Sequence, residues 1–346
     1  MFIHVIKVLV FITFCSLLKK INSEIFSAID ELEKLSIHEK FIFDEMKLIA
    51  DEINDDYLNR KLEAWKDERV LVERDITRYI TNPLNAFLMI KRATSDIELI
   101  RKRFNNQTEE FFDKVREILP TDEDLSGAVE GLIRLQFINK LKSEDFANGK
   151  IHGEVTRKPL TPHDLFVIGS EALAFADHLY FAEEYLKLSL QKLDNGLDID
   201  GEVEKNNLLL NLLNLHEKSG DYAEAITIAD NLINKNHENL SFREIKNNLT
   251  ANLDKFGSSK FWKNNPFNEN YEKNGKYSNI KENIIYSQVC RGHLKKTNEE
   301  LSKLHCRYVS SSAFSKLARF KIEEANIEPY IVLFIRSEER RVGKEC

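Results

Sequence analysis

From Glu24 to Leu119 apolar side chains return mostly at steps of three and four: Ile25, Ile29, Leu32 and Leu35, then Phe41, Met46, Leu48, Ile49 and Ile53, with acids and bases between them. That period lays one apolar stripe along each helix, and the stripe has to be buried against something. Long helices with mixed charges on their outer faces pair as hairpins or coiled coils. A helical, coiled-coil-type dimerisation domain is therefore expected over residues 24–145, with an intramolecular bundle as the alternative. Asn82-Pro83 interrupts the pattern, because a residue before proline is pushed out of the α region, and a helix resumes near Ala86. Leu119-Pro120 interrupts it again. Thr121, followed by Asp122, Glu123 and Asp124, has the make-up of an N-cap and acidic first turn for a helix over Leu125 to Leu141.

The next stretch, residues 146–256, carries a repeat. Leu212 to Asn239 fits the tetratricopeptide pattern of helix, turn and helix, with Ser219-Gly220-Asp221-Tyr222 as the turn and Ala225 and Ala229 where helices approach closely. A more divergent copy precedes it: Thr161 as N-cap, Gly169 and Ala172 on its first helix, and Ala182, Tyr185, Leu186 and Leu190 on its second. So few repeats need caps, which the helices Leu125 to Leu141 and Leu240 to Leu253 can supply. Stacked pairs of this kind leave a concave face suited to an extended peptide. Residues 257–327 read as a linker containing a cysteine loop, and the β-branched and aromatic run at 328–335 reads as the first strand of a further, β-rich domain. The fold class is thus all-α up to that strand.

Composition sharpens this picture. With 31% charged residues, 42% apolar, 12 Gly and 6 Pro in 346 residues, the chain has the make-up of a helical protein of more than one domain. A net charge of -7 with no clustered basic face argues against nucleic acid as a partner. Val8 to Leu18 is an apolar run behind Lys7, short for a membrane span and suited to a signal peptide over residues 1–23, which points to the secretory pathway with no membrane span in the mature protein. Arg336 to Cys346 (RSEERRVGKEC) reads as the translation of a sequencing adapter, so the natural reading frame is expected to continue past it. Setting both ends aside leaves Cys290 and Cys306. In an oxidising compartment they suit one disulfide, and with His293 and His305 beside them a zinc site is the rival. Of three glycosylation sequons, Asn106 is the preferred acceptor, in an Asn-rich stretch expected to be exposed.

Several segments in order resemble the α subunit of collagen prolyl 4-hydroxylases. They are Glu73-Arg74-Asp75 with Asn82 to Phe87; Pro120 to Asp124 leading to Gly127-Ala128 and Gly131 to Gln136; Leu160-Thr161 to Gly169; Cys290-Arg291-Gly292 with Leu304 to Tyr308; and Glu323-Glu324 with Pro329 to Val332. The resemblance covers roughly residues 24–335. It implies an N-terminal dimerisation domain, a tetratricopeptide-type domain that binds Pro-rich or collagen-like peptide, a linker, and a C-terminal jelly-roll dioxygenase domain truncated here. It also implies an α2β2 enzyme of the endoplasmic reticulum lumen, with protein disulfide isomerase as the β subunit and Fe(II), 2-oxoglutarate and ascorbate as cofactors. Cys290 and Cys306 look like the family's intrachain disulfide.

The iron motif that such an enzyme needs, His-x-Asp, begins at none of the nine histidines, so this chain is expected to bind none of those cofactors and to supply assembly and peptide binding. A secreted helical peptide-binding paralogue without catalysis is the alternative. Relatives line the peptide groove with tyrosines, whereas the matching helix here carries Leu210, Asn211, Asn214 and Glu217. The candidate peptide contacts are Tyr180, Phe181, Tyr185 and Tyr222 for ring surface, with Arg243 and Asn247 as polar clamps.

Overall fold

The computed structural model describes residues 29–175, 179–198, 201–235, 240–258, 281–309 and 320–335. The apolar run at Val8 to Leu18 and the segment from Arg336 to Cys346 lie outside them. No helix among the described residues is long and apolar enough to cross a membrane. The chain divides into two compact units, residues 1–134 with 142–261, and residues 135–141 with 262–346.

The first unit is helical. Helix α1 (Ile29–Ile53) and α2 (Asp56–Arg74) are joined at Asn54-Asp55, where Asp55 caps α2 by accepting from the amides of Tyr57 and Leu58. Short α3 (Ile76–Ile80) leads to α4 (Pro83–Lys91). Asn82-Pro83, expected only to break the helix, is also its start: Pro83 stands at the first turn, where no amide partner is lost, and Asn82 accepts from the amide of Leu84 at 2.9 Å. A π-helical segment, Arg92–Asp96, follows, then α5 (Ile97–Arg103) and α6 (Asn105–Val115). Four helices share one core, built by Ile42, Met46 and Ala50 of α1, Leu58, Leu62 and Trp65 of α2, Ile97 and Ile100 of α5, and Phe111, Phe112 and Val115 of α6. Of the apolar stripe read from the sequence, Leu32, Leu35 and Met46 are buried, whereas Phe41 and Leu48 face outward and Ile42, outside that reading, is fully enclosed.

Helix α7 (Asp122–Asn139) begins as the sequence predicts. Thr121 Oγ1 accepts from the Asp124 amide, and the Asp124 carboxylate accepts from the Thr121 amide at 2.8 Å. A short helix α8 (Ser143–Ala147) and a two-stranded hairpin, β1 (Lys150–Ile151) with β2 (Glu154–Val155), lead into the repeat helices.

Helix α9 (Pro162–Ala172) packs on α10 (Leu179–Asp194), and α11 (Lys205–Ser219) on α12 (Tyr222–Lys235), which in turn packs on α13 (Leu240–Phe256). Thr161 caps α9 in a capping box with Asp164. Gly169 is needed for close approach, since a Cβ there would lie 2.7 Å from Leu186 Cγ. Gly220, at φ +77°, ends α11 in the left-handed conformation and makes the turn into α12. Ala172, Ala182, Ala225 and Ala229 are buried, so the helices are tetratricopeptide-like both in order and in their small contact residues.

The second unit contains α14 (Lys281–Cys290), α15 (Asn298–Ser302) and an antiparallel sheet ordered β3 (Cys306–Val309), β4 (Phe320–Asn326) and β5 (Ile331–Ile335). Strand β5 falls where the apolar run placed a strand. It pairs with β4 (Ile322 opposite Phe334), and β4 with β3 (Arg307 opposite Ile322). Both partner strands lie in the stretch read as linker. The sequence Phe320 to Asn326 alternates only weakly and carries Glu323-Glu324, which hides its strand character.

Candidate functional site

The six residues expected to touch a peptide fall into different settings. On α10, Phe181 is 2% exposed and Tyr185 is fully buried, so both rings belong to the packing between helices. Tyr180 is half-buried; its hydroxyl donates to Glu184 at 2.6 Å, and its ring meets Phe181 edge-on at 5.4 Å. Burial and that carboxylate raise the phenol's pKa, keeping it protonated. Tyr222, half-buried, opens α12 after the Gly220 turn, while Arg243 and Asn247 are exposed one turn apart on α13.

A cleft of about 920 Å³ lies elsewhere in the same unit, a volume within the range of ligand sites. Its walls come from the π segment and α5 (Ser95, Leu99), from Phe112, Leu119 and Pro120, and from the repeat helices (Phe166, Ser170, Asn207). None of the six candidates lines it. The aromatic rings of the lining are those of Phe112, Phe166 and His163, and polar groups are numerous. Asn207 Nδ2 donates to Glu204 Oε2 at 2.9 Å, and Asn211 Nδ2, one turn along α11, donates to Ser170 Oγ at 2.8 Å.

Beside the cleft sits a cluster of buried charge that the sequence reading did not single out. Lys91, 2% exposed, bonds Asp96 Oδ1 at 2.6 Å and Asp164 Oδ1 at 2.7 Å. Lys61 pairs with Glu202, whose carboxylate also accepts from the Tyr57 hydroxyl at 3.1 Å. His163 Nδ1 lies 3.3 Å from Asp96 Oδ1, out of line for a hydrogen bond, and 3.7 Å from Glu202 Oε2, beyond hydrogen-bond reach. Burial alone would raise the Asp96 carboxyl's pKa; Lys91 and Lys61 outweigh it and hold the group well below the usual carboxylate range. Asp164 is likewise lowered, burial being overcome chiefly by Lys91. The ammonium of Lys91 is raised because Asp164 and Asp96 more than offset its own burial. Within this network α9, through His163 and Asp164, is bound to the end of α4, and the only sequence signal for it is Lys91-Arg92 directly after the apolar run Phe87 to Ile90.

A second network has the same character. Glu39, fully buried, accepts from Trp65 Nε1 at 2.9 Å and from Arg92 Nε at 2.7 Å. Tyr79 donates to Glu68, and Arg157 reaches Glu68 at 3.4 Å and Asn85 Oδ1 at 2.9 Å. No group of three or more His, Cys, Asp or Glu side chains among the described residues is placed to hold a metal ion. Neither charge network is arranged for iron.

In the second unit Cys290 ends α14 and Cys306 opens β3; both are exposed, and no disulfide joins them in the structure. Glu324 accepts from Arg307 Nε at 3.0 Å and from the Tyr330 hydroxyl at 2.9 Å, and these bonds lower its pKa. Asn106 falls in the first turn of α6, and the sequon's Thr108 is buried with its hydroxyl donating to the Phe104 carbonyl at 3.2 Å.

Residues 28–153 match the family model described as the N-terminal region of the prolyl 4-hydroxylase alpha-subunit. The chain is 27% identical to prolyl 4-hydroxylase subunit alpha-2 of Caenorhabditis elegans, over 96% of this chain and 62% of that protein. It is 28% identical to subunit alpha-2 of Gallus gallus, over 94% of this chain and 63% of that one. Subunit alpha-1 of Homo sapiens matches at 27%, over 75% of this chain and 50% of its own length. The chain therefore spans about three fifths of the two alpha-2 relatives.

Proposed function

This chain resembles the α subunits of prolyl 4-hydroxylases along most of its length, and on that premise we propose that it is the assembly and peptide-binding portion of such a subunit. Its share of the work is to hold an extended, proline-containing peptide while the hydroxylation takes place on a part of the protein outside this sequence. Iron, 2-oxoglutarate and ascorbate belong to that other part. The observation that carries the reading is the cleft of about 920 Å³ beside the tetratricopeptide-like helices, open enough for several residues of a stretched peptide.

Assembly rests on a second stripe of α1. Ile37, Phe41 and Leu48 are 70%, 44% and 61% exposed and share one side of the helix, apart from the buried stripe of Leu35, Ile42 and Met46. An apolar row left in water on a long helix is the surface a second copy of the protein would cover. Protein disulfide isomerase as partner, the lumen of the endoplasmic reticulum as location, glycosylation at Asn106 and a Cys290–Cys306 disulfide complete the proposal. They are supported by the signal-like Val8 to Leu18, the sequon and the two remaining cysteines.

Titration calorimetry of the full-length protein with (Pro-Pro-Gly)5 tests the central claim. Saturable binding is expected; an absence of binding at millimolar peptide would overturn it.

A further inference from the structure

A second cleft, of about 590 Å³, lies where α2 ends and α3 and α4 begin, and its volume too is within the range of ligand sites. Leu71, Arg74, Arg78, Asn82 and Asn85 line it together with three consecutive residues of the hairpin, Glu154 to Thr156. Neither the peptide cleft nor the assembly row of α1 uses any of them.

Hydrogen-bond donors are left over here. Arg157 Nη1 donates to Asn85 Oδ1 at 2.9 Å, so the other end of that amide is its NH₂, and the NH₂ has no partner although the residue is only 9% exposed. Asn82 is in the same state: Oδ1 accepts from the amides of Leu84 and Asn85, and the NH₂ is free. Arg74 and Arg78 are exposed, and neither forms an ion pair among the described residues. Acids close by in sequence are already engaged, since Asp75 accepts from the Arg78 amide at 2.9 Å and Glu73 pairs with Arg69 at 2.7 Å.

The hairpin contributes an open edge. Strand β2 pairs only with β1, Lys150 opposite Val155 and Ile151 opposite Glu154. Successive residues of an antiparallel ladder alternate between turning N–H and C=O toward the partner strand and away from it. One of Glu154 and Val155 therefore points both groups away from β1, and among the described residues nothing bonds them. Such an edge is a template for a further strand. Leu71 and Val155 are both exposed and add apolar surface.

We infer that this cleft docks an extended segment of a partner protein, one that carries an acidic side chain two residues from an apolar one. The segment adds to the edge of β2, Arg74 and Arg78 take its carboxylate, and its apolar side chain covers Leu71 and Val155. Residues two apart in a strand share a face, guanidinium forks match carboxylates, and the free amide groups of Asn82 and Asn85 suit backbone carbonyls. The inference does not rest on peptide binding beside the repeat helices.

The test is calorimetry of the full-length protein with acetyl-Thr-Glu-Thr-Val-Thr-amide at low salt. Saturable binding is expected, at least about tenfold tighter than that of the same peptide with Gln for Glu, because hydrogen bonds to an ionised group are lost. The Arg74→Gln/Arg78→Gln variant should erase that tenfold preference. The glutamine peptide needs no change in the protein, so it decides the charge requirement even if the variant misfolds. Two N-methylated peptides probe the strand pairing, one modified at Glu and Val, the other at the central Thr. Their N–H groups point to opposite sides of a strand, so one form should bind at least about fivefold more weakly than the other, about the worth of one net hydrogen bond. No binding at millimolar peptide, equal affinity for the Glu and Gln peptides, equal affinity for the two methylated forms, or free glutarate binding as tightly as the peptide would each overturn the inference. Titration with (Pro-Pro-Gly)5 should be the same for wild type and variant, and its outcome bears on the other cleft alone.

Discussion

The repeat helices and the seam behind them sit in one compact unit yet are held by opposite means. Between α9 and α10, and between α11 and α12, contact is made by small or apolar groups: Gly169 against Leu186, Ala172, Ala182, Ala225 and Ala229, with Tyr185 enclosed. Where α9 meets the end of α4, Lys91, Asp96, Asp164, Lys61, Glu202 and His163 replace them, nearly all removed from water. Apolar packing loses its free energy in proportion to the atoms removed, and neighbours relax into the space. Buried ions are all-or-none: intact they return roughly what desolvation costs, but one partner alone is a strong penalty. The hairpins should therefore tolerate change gradually, and the seam abruptly.

The sharpest test of that contrast is Lys91→Met, which keeps the side chain's bulk and leaves Asp96 and Asp164 without their shared ammonium. A loss of about 3–5 kcal/mol is expected in urea denaturation, and a loss below about 1 kcal/mol would erase the distinction. In the hairpins, Leu186→Ala should cost about 2–4 kcal/mol and leave a protein that still unfolds cooperatively. Acid offers a reversible version. The Asp96 and Asp164 carboxyls are held below the ordinary range in the fold, so their contribution is complete above about pH 4, the unfolded value for aspartate. It is lost as the pH drops from there toward the folded pKa values. Melting temperature should accordingly be steady from about pH 7 to 5 and fall steeply below about 4 in wild type. Smallest of all is Thr161→Ala, which removes the α9 cap bond and should cost about 1 kcal/mol by the same denaturation measurement.

That contrast also explains what the sequence made legible. Gly169, Gly220 and the alanines announce close approach and a left-handed turn through their own chemistry, so the hairpins and their caps could be placed to within a few residues. Helix-period stripes announced the helical character of α1 without marking where it gives way to α2. Buried charge leaves no such trace, because Lys91, Glu39 and Asp164 look like any surface residues until the fold brings their partners from 26 to 73 positions away. Three of the four aromatic candidates were drawn from α10, yet Phe181 and Tyr185 turned out to be packing residues, and the one amide of α11 that lines the cleft, Asn207, has a role that depends on which helix stands opposite. Strand β4 was missed because its glutamates mask the alternation.

The π-helical turn at Arg92–Asp96 sets the phase of everything that follows it in the bundle. A π-turn accommodates one residue more than an α-turn would, and each residue of α-helix advances the side-chain direction by about 100°. Deleting a single residue there would give a smoother helix and a worse protein: Ile97 and Ile100 would rotate away from the shared core, and Asp96 would swing off the ammonium of Lys91. At Ser95, outside both charge networks, residue count outranks residue identity, so tolerance to substitution and tolerance to deletion should part company there.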